Sequence, residues 1–134
     1  MSASRREPRW ITRSMVEAVQ EAQIREHGGS YGIRDSGLLE SALGRPQQKF
    51  AHVEDADEAV FAAASLFGVA KNHPFVDGNK RASFMTAYAF LGMNGFDLDA
   101  SEPEIVTIVE NVAAGKMSEA KLVEWFRAAL TPLE

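Results

Sequence analysis

The run from Ala59 to Ala70 contains no charged side chain, and only Ser65 and Gly68 interrupt its apolar character. It is too short to cross a bilayer, which takes about 20 apolar residues in helical form. A helix this apolar folds only where other parts of the chain cover it, so the run predicts a core helix with neighbours packed around it. Val60, Phe61, Ala64, Phe67, Gly68 and Ala70 give it a broad apolar face, and Asp55 and Asp57 place negative charge at its start. Pro74 sets its end near Lys71 or Asn72, because a residue before proline is pushed out of helical backbone; His73 is expected to be extended.

The remaining periodicity is helical too. Ser14 and Glu17 have the form of a capping box ahead of Met15, Val16, Val19, Ala22 and Ile24, and Gly28-Gly29 ends that helix. Asp35 is a cap for a second, short helix with Leu38, Leu39, Ala42 and Leu43, stopped at Gly44 and Pro46. After the core helix and a polar loop, spacing resumes through Ala82, Phe84, Met85, Tyr88, Ala89 and Leu91 until Asn94-Gly95. Phe96 to Asp99 reads as a connector. Ser101 and Glu104 open a helix that Gly115 closes, and Ser118 caps a last one ending before Pro132. The expected fold is all-α, a compact bundle of about six helices, with a small hairpin as the one β element to be added. With 134 residues, one domain over 10–134 is expected, preceded by a flexible terminus over 1–9.

Composition removes several functions. The chain has no cysteine, hence no disulfide framework, thiolate zinc site or cysteine nucleophile. A net charge of -5 is the wrong sign for non-specific grip on a nucleic-acid backbone, so no direct nucleic-acid partner is expected. No signal-like or membrane-spanning segment is seen, and a cytoplasmic location is expected. A phosphate-binding G-x-x-x-x-G-K-[S/T] string and an H-E-x-x-H zinc site are both missing.

The chemistry concentrates in the loop between the two most apolar helices, His73-Pro74-Phe75-Val76-Asp77-Gly78-Asn79-Lys80-Arg81. Gly78 permits a tight turn, after which the backbone N–H groups of Gly78, Asn79 and Lys80 point outward at a helix start, where an anion is favoured. Lys80 adds a point charge and Arg81 a planar fork suited to phosphate. Asp77, a lone carboxylate among phosphate-binding groups, makes sense as a Mg²⁺ ligand, since that ion takes one or two carboxylates and fills its shell with phosphate oxygens and water. His73 is the residue to accept a proton from an attacking hydroxyl. Residue by residue, blander roles compete: His73 and Asn79 as helix caps, Asp77 paired with Arg81, Lys80 as a solvated charge.

The string HPFVDGNKR resembles the signature of the Fic/Doc proteins, H-P-F-x-[D/E]-G-N-[G/K]-R, at all eight specified positions. Lys80, where most Fic proteins have glycine, is similar to the Doc (death-on-curing) branch, and the stretch from Gly32 to Pro46 also looks Doc-like. The resemblance implies that His73 is the general base, that Asp77 holds Mg²⁺, and that Gly78, Asn79, Lys80 and Arg81 bind the phosphates of ATP. It also implies transfer of the terminal phosphoryl group to a hydroxyl of a target protein, a translation factor such as elongation factor Tu, and control by a cognate antitoxin. Two departures bear on this. AMP-transferring members commonly carry an arginine three places beyond Arg81, where this chain has Phe84, a residue that follows the apolar core pattern. The self-silencing [S/T]-x-x-x-E-[G/N] motif of many Fic proteins fails at Ser41, in the stretch from Ser36. AMP transfer and a non-catalytic antitoxin-binding module are the alternatives. His27 and His52 read as structural, as do Trp10, Trp125 and Tyr88; Tyr31 retains a chance of lining the target groove.

Overall fold

A computed structural model describes residues 6–133. Six helices follow in order: α1 (Arg13–His27), α2 (Ser36–His52), α3 (Glu58–Asn72), α4 (Asn79–Met93), α5 (Glu102–Ala113) and α6 (Glu119–Ala129). Two short strands, β1 (Phe96–Leu98) and β2 (Leu130–Pro132), complete the fold. The apolar run is α3, capped at Asp57, whose carboxylate accepts from Val60 N at 3.1 Å. It packs against α2, α4, α5 and α6, and nearly every side chain from Ala59 to Ala70 is buried. That surround is what a helix with no polar face requires.

Two apolar clusters meet along α3. One gathers Phe61, Leu66, Phe90, Leu91, Val112, Leu122 and Phe126; the other gathers Val16, Leu39, Ala42, Val69, Phe75 and Ala82. Phe75 belongs to the polar loop, and its buried ring fastens that loop to the core. Gly68 lets α2 approach closely: a Cβ there would lie 3.1 Å from Ala42 Cα and 2.9 Å from Arg45 Cδ.

The all-α expectation holds, and several local expectations are corrected. Helix α1 is capped at Thr12, whose Oγ1 accepts from Met15 N at 3.3 Å, so Ser14 lies inside the first turn and Glu17 bonds Arg13 instead. Helix α2 does not stop at Gly44 and Pro46 but runs to His52 with Pro46 buried within it. The continuation places Phe50 against Trp10 and Phe61, with ring centroids 5.9 and 6.1 Å apart, a burial that offsets the hydrogen bond the proline deletes. His52 thus sits in the last turn of α2. The segment after Gly95 is a strand, and the β element is not a hairpin: β1 and β2 pair antiparallel, Phe96 opposite Pro132, across the whole α5–α6 segment.

The caps at Asp35, Ser101 and Ser118 are as expected. Of the expected flexible terminus, residues 1–5 lie outside the described residues; Arg9 exchanges two hydrogen bonds with the Asn94 side chain, at 2.8 and 2.9 Å. No helix among the described residues is long and apolar enough to cross a membrane.

Candidate active site

The loop predicted to carry chemistry runs from the end of α3 to the start of α4, and its backbone is unusual from its first residue. His73 caps α3 with its N–H on Val69 O at 3.2 Å, and its φ of 49° and ψ of 56° are left-handed. This corrects the expected extended conformation. The preference imposed by Pro74 is overridden because the segment 32–35 grips the turn. Arg34 Nε donates to His73 O at 2.7 Å and its Nη2 to Asn72 O at 3.0 Å, while Arg34 N and Asp35 N both donate to Pro74 O. Ile33 and Phe75 form an isolated antiparallel bridge beside these bonds. The competing reading of His73 as a helix cap is therefore true of its backbone, and its exposed imidazole still lines a cleft.

Asn79 stabilises the turn from within. Its buried side chain accepts from Phe75 N at 2.9 Å and donates to Phe75 O at 3.0 Å. With the amide spent on Phe75, what Asn79 can offer an anion is its backbone N–H. Gly78 has a φ of 75°, which glycine adopts without cost, and α4 follows directly. Ala82 N, on Gly78 O at 2.9 Å, makes the first backbone bond of the helix. The N–H groups of Gly78, Asn79, Lys80 and Arg81 have no partner among the described residues, the condition for an anion cradle at a helix start. Lys80 and Arg81 are exposed, and neither side chain makes a hydrogen bond or ion pair among the described residues.

Asp77 does not pair with Arg81. Its Oδ2 accepts from Ser30 N at 2.8 Å, and its carbonyl accepts from the fully buried Gln20 Nε2 at 3.1 Å. Gln20 thus joins α1, the glycine-rich turn after it and the loop. The second carboxylate oxygen of Asp77 carries no hydrogen bond, and no cluster of three His, Asp or Glu side chains able to hold a metal exists among the described residues. One free carboxylate oxygen beside unpaired helix-start N–H groups would suit Mg²⁺, which completes its shell with ligand oxygens and water, better than a cation needing an all-protein cage.

His73, Asp77, Gly78, Asn79, Lys80 and Arg81 all line one cleft of ≈ 760 Å³. Opposite the loop, α5 contributes Ile105, Val106 and Val109 together with the carboxylates Glu102 and Glu110, α4 adds Met85, and α1 contributes Gln23, Glu26 and His27. Phe84, expected in the core, does pack on the apolar cluster but also faces this cleft, stacked on Tyr88 at 5.7 Å. Three contributors escaped the sequence reading. His27 reads as structural in the sequence and lies on the rim. Gln20 falls four residues after Val16 on the buried face of α1, and a polar amide in that register was the available signal. Arg34 gave none, because its partners are carbonyls far along the chain.

The model of the Fic/DOC family matches residues 10–91, which include the whole loop. The chain is 32% identical over 119 residues to the protein kinase doc of Escherichia phage P1, covering 89% of this chain and 94% of that one. It is 43% identical over 83 residues to the toxin Doc of Mycolicibacterium smegmatis, covering 56% of this chain and 63% of that one. With its six helices and one small two-stranded sheet, the chain belongs to the Fic/DOC family, in its Doc branch.

Proposed function

We propose that this chain is a Doc-type toxin that transfers the γ-phosphoryl group of ATP to a hydroxyl side chain of another protein. The carrying observation is that an exposed imidazole, four unbonded helix-start N–H groups and two unpaired cations border one cleft. The names of the relatives, a protein kinase and a toxin, support the same reading. Phe84 supports it too, since it presents an apolar ring to the cleft where AMP-transferring members carry a further arginine.

In this reading the N–H groups of residues 78–81, with Lys80 and Arg81, hold the phosphates and balance the charge that develops on the transferred group. His73 accepts the proton of the target hydroxyl as its oxygen bonds to the γ-phosphorus. The bond from that phosphorus to the β–γ bridging oxygen breaks, ADP leaves, and His73 returns the proton to solvent. Asp77 would hold Mg²⁺ through its free oxygen, the ion supplying further neutralisation of phosphate charge. The target is a translation factor, elongation factor Tu first among candidates, and the partner that restrains the enzyme is a cognate antitoxin; both act in the cytoplasm.

Purified protein incubated with bacterial lysate, Mg²⁺ and ATP labelled at either the γ or the α position tests this. Label is expected in protein from the γ position alone; label from the α position alone overturns the kinase reading in favour of AMP transfer. His73→Ala should lower transfer by roughly 10²–10⁴-fold, the usual contribution of a general base, and should abolish growth arrest on expression. Undiminished arrest would instead mean a module that works by binding.

A further inference from the structure

His73 is, among the described residues, the one non-glycine residue with positive φ, and it precedes a proline that favours extended backbone at this position. Changing its φ from 49° to a value near −120° would swing the Cα–Cβ bond and carry the imidazole away from its present place on the cleft wall. The direction of the side chain therefore depends on whatever keeps the left-handed conformation occupied. The bonds to Pro74 O, the Ile33–Phe75 bridge and the Asn79 side chain fasten the loop beyond His73. The orientation of the His73 carbonyl itself has one hydrogen-bonding partner among the described residues, the Arg34 guanidinium, which also takes the neighbouring Asn72 carbonyl.

We propose that Arg34 is a positioning residue, one that aims the His73 imidazole by clamping the two carbonyls at the end of α3. The proposal rests on His73 acting as the base, as set out above. Three features favour it over a general structural role. The guanidinium has no carboxylate partner among the described residues, so its charge is directed at the carboxyl end of α3, where the helix dipole is negative. Its rigid planar fork holds the carbonyls of two successive residues in a fixed geometry, which the rotatable donors of a lysine on a flexible stem do not. The residue is exposed, and the loop retains its other fastenings without it, so its removal leaves the core intact.

The test compares the parent protein with Arg34→Ala and Arg34→Lys in two independent readouts. The first is kcat and the KM for ATP, from γ-label incorporated into total lysate protein at fixed lysate concentration. Arg34→Ala is expected to lower kcat by roughly 10–100-fold, as a misaimed base does. The KM for ATP should stay within about threefold, because the phosphate cradle belongs to α4. Arg34→Lys, which keeps the charge and donors without the planar fork, should fall between the two. The second readout is the ¹³Cα and ¹³Cβ chemical shifts of His73, which report its backbone conformation without any reaction: they should leave the left-handed range in Arg34→Ala and move less in Arg34→Lys. Unchanged kcat in Arg34→Ala, or left-handed shifts retained there, overturns the proposal, as does a loss of kcat that only tracks the fraction of unfolded protein. If the parent transfers no label, the proposed reaction fails while the chemical shifts still decide whether Arg34 sets the backbone of His73.

Discussion

Replacing Asn79 with alanine should separate the scaffold of the loop from its chemistry. Asn79 is 7% exposed, and its side chain satisfies both backbone groups of Phe75, the N–H at 2.9 Å and the carbonyl at 3.0 Å. Neither group has another partner among the described residues, and the Phe75 ring is buried in the second apolar cluster. A buried backbone group left without a partner costs roughly 1–3 kcal/mol. Two of them, with water admitted to the vacated space relieving part of the penalty, bring the loss to about 2–4 kcal/mol. At roughly 4 °C per kcal/mol for a domain of this size, Tm should fall by about 8–16 °C. Against a typical total stability of about 5–15 kcal/mol, most of the protein remains folded at room temperature. Urea unfolding gives the free energy, and an unchanged slope would show that only the native state was altered. The matched control is Lys80→Ala, which removes an exposed, unbonded side chain and should change stability by less than about 0.5 kcal/mol while abolishing γ-label transfer. A Tm for Asn79→Ala within about 2 °C of the parent would refute the reasoning, because Phe75 would then have other means of satisfying its backbone.

Four further outcomes are expected. Lys80→Gly, which gives the loop the glycine that most Fic proteins resembling it carry there, should lose γ-label transfer; full retention would show that the lysine does not contact the transferred group. Gly68→Ala should be destabilising by about 1–2 kcal/mol in urea unfolding despite a helix-propensity gain of about 1 kcal/mol, because the added methyl meets the α2 backbone at Ala42 Cα, 3.1 Å away. At Asp57, partial burial pushes the carboxyl up, but the Arg127 hydrogen bonds and the Val60 N–H outweigh it and hold the group below its ordinary range. Its contribution is therefore present above that range and lost as the pH falls through the lowered value; with both partners about half exposed, a double-mutant cycle of Asp57→Asn and Arg127→Met should give about 0.5 kcal/mol or less at neutral pH and nothing in strong acid. The hydrogen bond to Asp97, with some burial, raises the Tyr88 phenol, so that contribution holds below the ordinary tyrosine range and fades as the pH rises through the raised value; Asp97→Asn should bring the absorbance titration of Tyr88 back toward ordinary phenol.

The parts of the fold legible in the sequence were those decided locally. Asp35, Ser101 and Ser118 cap their own helices, and Gly28, Gly95 and Gly115 take the positive φ that ends or follows one. The nine-residue loop stood out as a candidate site because its residue types are those of phosphate chemistry, and the structure gathers all six named positions around one cleft. Three features depended on distant partners and were hidden. Pro46 stays inside α2 because Phe50 finds Trp10 and Phe61 beyond it. The strands are each too short to show alternation, and each exists only because the other does. His73 departs from the pre-proline rule because Arg34 and the segment around it, some forty residues earlier, hold it there.

The pairing of β1 with β2 has a kinetic consequence. Leu98 and Leu130 meet only after the intervening 31 residues have been brought round into a closed excursion, and such long-range closures lose more chain entropy and form more slowly than contacts between sequence neighbours. Helix α5, which supplies one side of the cleft, lies within that excursion. On the ribosome, the loop with the imidazole and the helix-start N–H groups emerges well before the segment that forms the opposite side, so a nascent copy holds one wall of the candidate site before it holds the other.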